Sequence, residues 1–201
     1  MSPSALVPPE PVATHTANPA PLGLAGFAVT TILLSSINAG FIPEASVAAV
    51  VPLAFAYGGI GQVITGVLEF RNGNTFGTAA YSSFGLFWIW YALLQWTVGA
   101  GWLKAPPPEA IGAALLIWGI FAFGLWLGTF RTNFVVWTMF LALWVTFFLL
   151  AAANFGMPTG SLGGWTGLVL GGEALYLSIA DILKAMYGRQ TLPVGKAPMA
   201  A

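Results

Sequence analysis

The chain contains no cysteine, which excludes disulfides, thiol nucleophiles and cysteine-ligated metals. Its single histidine, His15, lies in the N-terminal stretch, so a histidine-built metal site is excluded too. Charge is scarce: six Lys and Arg with six Asp and Glu make up 6% of 201 residues, against roughly a quarter in soluble domains. So few charges could not keep a surface wet, and the chain belongs in lipid. A net charge of zero removes the electrostatic basis for nucleic-acid binding. There is no phosphate-cradling lysine motif, no zinc-binding His-Glu-x-x-His helix, no run of catalytic carboxylates and no dinucleotide fingerprint. The expectation is a protein that is not an enzyme, holds no cofactor and no metal, and does not itself use ATP. Lys184, the only lysine in any apolar stretch, lies at its end, which argues against a retinal Schiff base. Residues 1–17 are rich in Pro, Ala and Thr and have no Lys or Arg. They read as a disordered tail, since a signal peptide needs a positive start and its own apolar core.

What is present is apolar: 58% of residues are hydrophobic, and nine are Trp. Six apolar stretches of bilayer-crossing length are marked off, approximately Leu22 to Ile42, Ala45 to Glu69, Thr75 to Ala100, Ala110 to Phe130, Asn133 to Phe155 and Leu162 to Tyr187. Turn chemistry separates them: Pro43-Glu44, Arg71-Asn72-Gly73-Asn74, three prolines between Lys104 and Glu109, Arg131-Thr132-Asn133, and Gly156 to Gly160. The expected fold class is an all-α membrane protein with six transmembrane helices over 18–188, flanked by tails 1–17 and 189–201. An even number of spans puts both termini on one side. Arg71, Arg131, Lys184, Arg189 and Lys196 fall on that side and only Lys104 opposite, which predicts cytoplasmic termini and a multi-pass protein of the plasma or bacterial inner membrane.

Several patterns mark candidate functional residues. Asn18-Pro19-Ala20-Pro21-Leu22-Gly23-Leu24 opens the first helix: proline costs no hydrogen bond in the first turn, and Asn18 can cap it. Either this is only a cap, or the partial positive charge of the helix start attracts an anion. Along the same helix Phe27, Thr30, Thr31, Leu34, Asn38 and Phe41 share about a third of the circumference, a polar stripe suited to a small polar solute or to interhelical hydrogen bonds. In the second span, Tyr57-Gly58-Gly59-Ile60-Gly61-Gln62 combines close-approach glycines with an intramembrane amide. Glu69 at its end either pairs with Arg71 or gates a solute. Asn72-Gly73 forms a tight turn, and Asn74 or Thr75 caps the third helix. The third helix is aromatic throughout. The fourth carries a small-xxx-small face at Gly124 and Gly128, and the fifth, nearly free of polar groups, reads as a lipid or subunit surface on at least one side. In the sixth, Gly163, Gly167 and Gly171 form a ridge for close helix approach, followed by Glu173 near the bilayer midplane. A carboxylate there is costly unless protonated, paired or wet, so it either binds a proton or makes a structural hydrogen bond.

The Asn-Pro-Ala-Pro-Leu-Gly-Leu stretch at 18–24 resembles the signature of the acetate uptake transporter family, the succinate–acetate permeases. The likeness continues in Gly26-Phe27 with Thr30-Thr31, Tyr57-Gly58-Gly59 with Gln62, Leu68-Glu69, Gly73-Asn74-Thr75-Phe76-Gly77, Gly164-Trp165 with Gly167, and Leu192-Pro193-Val194-Gly195. It implies a homohexamer with a path for acetate, with succinate or other short carboxylates as further substrates, through each protomer; protons, expected from the charge-free neck and Glu173, and membrane lipid are the further partners. The family's path narrows at three bulky side chains that map onto Phe27, Phe84 and Leu143. By the same resemblance Thr30, Thr31, Asn38, Tyr57, Gln62 and Asn74 become substrate-contacting candidates, while Glu69 and Glu173, from their own placement in the spans, are gating or proton-linked ones. Two positions depart from the pattern: Phe84 lacks a tyrosine hydroxyl, and Glu173 stands where a small residue is expected. The competing readings are a scaffold or sensor without transport and a channel for neutral solutes.

Overall fold

The structure, a computed structural model, describes residues 16–199. His15 and most of the expected N-terminal tail lie outside them. All regular structure among the described residues is helical, in six long rods: α1 (Ala20–Asn38), α2 (Glu44–Arg71), α3 (Thr75–Gly99), α4 (Pro108–Gly128), α5 (Phe134–Asn154) and α6 (Gly160–Tyr187). Five are long and apolar enough to cross a bilayer. The exception, α3, has 25 residues, roughly 37 Å at 1.5 Å per residue, and owes its lower hydropathy to Trp, Tyr, Ser and Thr.

Local chemistry sets the ends. Asn18 Oδ1 accepts from Ala20 N–H at 3.1 Å, and Pro21 sits in the first turn of α1, where a missing N–H costs nothing. The stretch expected to run to Ile42 stops at Asn38 because Gly40 turns left-handed at φ +84° and Phe41 N–H returns to Ser36 C=O at 2.9 Å. Asn74 caps α3 through Gly77 N–H at 3.0 Å, and Asn133 caps α5 through Val136 N–H at 2.9 Å. The second span is not a plain helix. Pro52 lies inside its first half, and Ala54–Gly61 winds as a π-helix before α-geometry resumes at Gln62–Arg71. Proline removes a donor and crowds the carbonyl four residues back, and the wider turn follows immediately, where glycines stand at 58, 59 and 61.

The helices close into a ring in chain order. α1 packs against α2 and α6, α2 against α3, α4 against α5, and α5 against α6. Backbones touch at glycine seams. A Cβ on Gly171 would meet Ile32 and Ala28 C=O of α1, one on Gly164 would fall on the Asn38–Ala39 backbone, and one on Gly163 would strike Leu150 of α5. The expected ridge on α6 is therefore shared between two neighbours. Across α1–α2, Gly26 abuts Tyr57 C=O and Gly58 abuts Thr30; across α2–α3, Gly66 abuts Ser82 and Gly85 abuts Gly59. Gly124 is not a contact point, for nothing lies within 4 Å of it. α4 instead meets α5 at Gly112 and Gly119, seven residues apart on one face. The ring closes between α3 and α4 through side chains, with Phe84 and Phe87 at 5.9 and 5.5 Å from Trp118.

The start of α1 and the end of α6 share one side of the bundle. Ser178 Oγ donates to Pro21 C=O at 2.8 Å, and Tyr81 Oη donates to Ala20 C=O at 3.4 Å. Residues beyond α6 fold back across the same side: Val135 N–H donates to Val194 C=O, Met199 N–H to Phe130 C=O, and Tyr176 Oη to Pro193 C=O at 2.8 Å. This side is called proximal below and the opposite one distal.

Candidate functional site

Two cavities lie end to end inside the ring. The proximal one, about 280 Å³, is bounded by Leu24, Gln62, Glu69, Asn74, Asn133 and Asp181 among others. The distal one, about 760 Å³, takes Thr31, Ser35, Asn38, Gln95, Thr146 and Asn154 into its wall. Phe27, Leu143 and Leu170 line both. The partition between them is therefore made of these three apolar side chains, 9%, 4% and 2% exposed. Phe84, 6.3 Å from Phe27 between ring centroids, stands on the proximal side of it, while Phe87 and Phe147 stand on the distal side. No Lys or Arg borders either cavity.

α5, read from sequence as a lipid or subunit surface on at least one side, gives another face to this interior. Met139, Phe140, Leu143, Thr146, Phe147 and Ala151 are buried at helical spacing. Phe27 and Leu24 arrive from α1 by the same geometry.

Thr31 and Asn38 reach the distal cavity, whereas Gln62, Asn74 and Glu69 reach the proximal one. Thr30 and Tyr57 border neither. The Thr30 hydroxyl donates to Gly26 C=O at 2.9 Å and packs on Gly58, while Tyr57 lies along Gly26 and Gly61. Both serve the α1–α2 seam, because Thr30 occupies the edge of the α1 stripe that α2 covers. Gln62 is 2% exposed and spends one amide hydrogen on Gly58 C=O at 2.6 Å.

Glu69 does not turn outward to Arg71, which is exposed. It is 4% exposed and accepts from Asn74 Nδ2 at 2.9 Å. Asn74 thus holds both a helix start and a buried carboxyl. Replacing an Asn cap by alanine costs about 1 kcal/mol, and orphaning a buried polar group adds about 1–3 kcal/mol. Asn74→Ala is accordingly expected to lower the thermal midpoint in detergent by several degrees, with Asn74→Asp recovering only the cap.

Glu173 is turned away from both cavities. It is half-buried in the α5–α6 seam beside Thr138, one turn from the start of α5, and its Oε2 has no hydrogen-bond partner among the described residues. The first turn of α1 offers no anion site either: Pro19 and Pro21 have no N–H, and the N–H groups of Ala20 and Leu22 are held by Asn18 Oδ1 and Pro19 C=O. Tyr81, Leu170 and Asp181 escaped the sequence reading. Leu170 adjoins the Gly171 seam and Asp181 follows about three turns later, but only the neighbouring helices reveal that they face inward.

Known proteins resemble the chain over nearly its whole length. The chain is 38% identical over 185 residues to the succinate-acetate/proton symporter SatP of Escherichia coli, covering 91% of this chain and 97% of that one. It is 35% identical over 199 residues to acetate permease A of Emericella nidulans, covering 90% of this chain and 67% of the relative. The solved structure of the bacterial acetate channel SatP superposes with a TM-score of 0.86 at 37% identity, over 90% of this chain and all of that one. The model of the GPR1/FUN34/yaaH family matches residues 3–199. The likeness to succinate–acetate permeases read from the Asn18 to Leu24 stretch is thus carried by nearly the whole chain, and this multi-pass membrane protein belongs to the GPR1/FUN34/yaaH family.

Proposed function

We propose that the chain carries acetate, and other short carboxylates such as succinate, across the bacterial inner membrane, together with a proton. The observation that carries this reading is the pair of cavities separated by a charge-free partition. A bare carboxylate in that partition would lose its water without gaining a counter-charge, a penalty of several kcal/mol even after relaxation. Protonating it instead, about three units above a carboxyl group's ordinary pKa, costs roughly 4 kcal/mol at pH 7. The neutral acid is the cheaper species to pass Phe27, Leu143 and Leu170, with Phe84 beside them. On either side, amides and hydroxyls replace hydration: Thr31 and Asn38 in the distal cavity, Gln62, Asn74 and Asn133 in the proximal one.

The proximal side is cytoplasmic on this reading, supported by five of six Lys and Arg residues. The protein assembles as a homohexamer with one path per protomer; Gly172, open on the bundle's surface, leaves room for a neighbouring subunit. The test is uptake of labelled acetate into proteoliposomes at pH 7 and above, where protein-free vesicles leak least. Uptake should exceed the vesicle background, saturate, acidify the lumen and be competed by succinate. Passage of urea with no acetate uptake would replace this reading by a neutral-solute channel.

A further inference from the structure

We propose that Glu69 and Asp181, with Tyr81 beside them, form the proton-accepting station of the proximal cavity, a role that rests on the acetate–proton reading above. The two carboxyls come from α2 and α6, the helices that flank α1. Glu69 is nine-tenths buried and aimed into the cavity, while Asp181 is half-buried beside the Asn18 side chain. Tyr81, from α3, lies within electrostatic reach of both, its hydroxyl on Ala20 C=O.

The groups facing this station are few. α1 contributes Asn18 and the positive end of its helix dipole, and α5 contributes the neutral Asn133 from its cap. Among the described residues no Lys or Arg lines the cavity, and the cation acting on Asp181 is Lys184, one turn beyond it on α6. Partial positive charge at the α1 start, and at the Asn74- and Asn133-capped starts of α3 and α5, steadies carboxylates without a buried Lys or Arg. Because α1 has no free first-turn N–H to offer an anion, these charges serve the carboxyls of the wall and not a bound acetate.

The step is a simple transfer. As acetic acid leaves the partition, its O–H bond breaks and an O–H bond forms on Glu69 or Asp181. Acetate departs as the anion past Asn74 and Asn133, and the proton follows to water at the Asp181 end. Two carboxylates in so small a chamber also repel an anion that has not surrendered its proton there, so the station ties release of one to release of the other.

The experiment uses the full-length protein in proteoliposomes, comparing wild type with Asp181→Asn, Asp181→Glu and the Glu69→Gln/Asp181→Asn double variant. The double variant should take up acetate about a hundredfold more slowly at pH 7, the low end of what a positioned proton acceptor contributes, with a flattened pH profile. Asp181→Glu should keep the rate and shift the profile. In the wild type, 13C-labelled acetate should raise a protein carboxylic-acid infrared band that Asp181→Asn diminishes. That reading needs no transport by a poorly folding variant. Wild-type rate and pH profile in the double variant, or no acetate-dependent protein band in the wild type, overturns the station while acetate carriage stands. A wild-type protein that carries no acetate overturns both.

Discussion

Leu143→Ala is expected to raise acetate uptake about tenfold, equivalent to lowering the barrier by about 1.4 kcal/mol, and to admit longer monocarboxylates that the wild type excludes. Leu143 borders both cavities and is 4% exposed, so its side chain is part of the thin partition between them. Truncation joins the chambers and lets water reach the carboxylate during passage, which removes the desolvation that opposes an anion. Faster uptake should therefore come with weaker dependence on pH. The same change deletes packing against α5's neighbours and costs roughly 2–5 kcal/mol of stability, so uptake must be normalised to folded protein. Phe27→Ala should act in the same direction, and additively only in part, since both side chains close one opening. Unchanged uptake and selectivity in both variants would place the narrowing elsewhere.

Gly167→Leu is expected to abolish accumulation of folded protein. A Cβ at 167 would already fall on the Ser35 side chain of α1, and leucine adds three further carbons to a seam where two helices approach backbone to backbone. Overpacking a native core typically costs about 1–3 kcal/mol. Here the intruding group is wedged between Ser35 of α1 and Thr146 of α5, and the cost should exceed about 3 kcal/mol out of a total stability of roughly 5–15 kcal/mol. Gly124→Ala is the control. Nothing lies within 4 Å of its new methyl, and a helical Gly-to-Ala change gains up to about 1 kcal/mol of propensity. Size-exclusion profiles in detergent read both variants. A monodisperse Gly167→Leu protein with the wild-type midpoint would mean that α1 and α6 are not held at this seam.

These two residues show how unevenly the fold could be read from sequence. Six long helices were legible because about twenty apolar residues between proline- or glycine-marked breaks are the minimal physical description of a membrane-length helix. Five of the six ends fell within about two residues of the observed ones, and the late end given to α1 reflects Gly40, whose left-handed turn stops the helix before Pro43. The Gly163, Gly167 and Gly171 ridge was legible for the same reason: its period is that of the helix. Direction was not. The stripe on α1 covers a third of the circumference, and nothing in α1 says that α2 takes the Thr30 edge while the cavity takes the Thr31 edge. Glu173 looked central because it is near the middle of a 28-residue helix, yet its side chain faces α5. Asp181, three residues from Lys184 in the last turn of α6, looked like an ordinary helix terminus; only the meeting of α1, α3 and α6 turns it inward.

The π segment of α2 bears on all the polar residues that follow it. Its turns are wider than those of an α-helix, so the half of α2 beyond Gly61 is set at an angle to the half before Ala54 that a continuous α-helix would not give. Each residue added to or removed from an α-helix rotates everything beyond it by about 100°. The angular setting that aims Gln62 and Glu69 into the proximal cavity is therefore decided in Ala54–Gly61, in a stretch that contributes no side chain to either cavity wall. The glycines there act as a clutch between two independently oriented half-helices, one tuned to the distal chamber and the other to the proximal one.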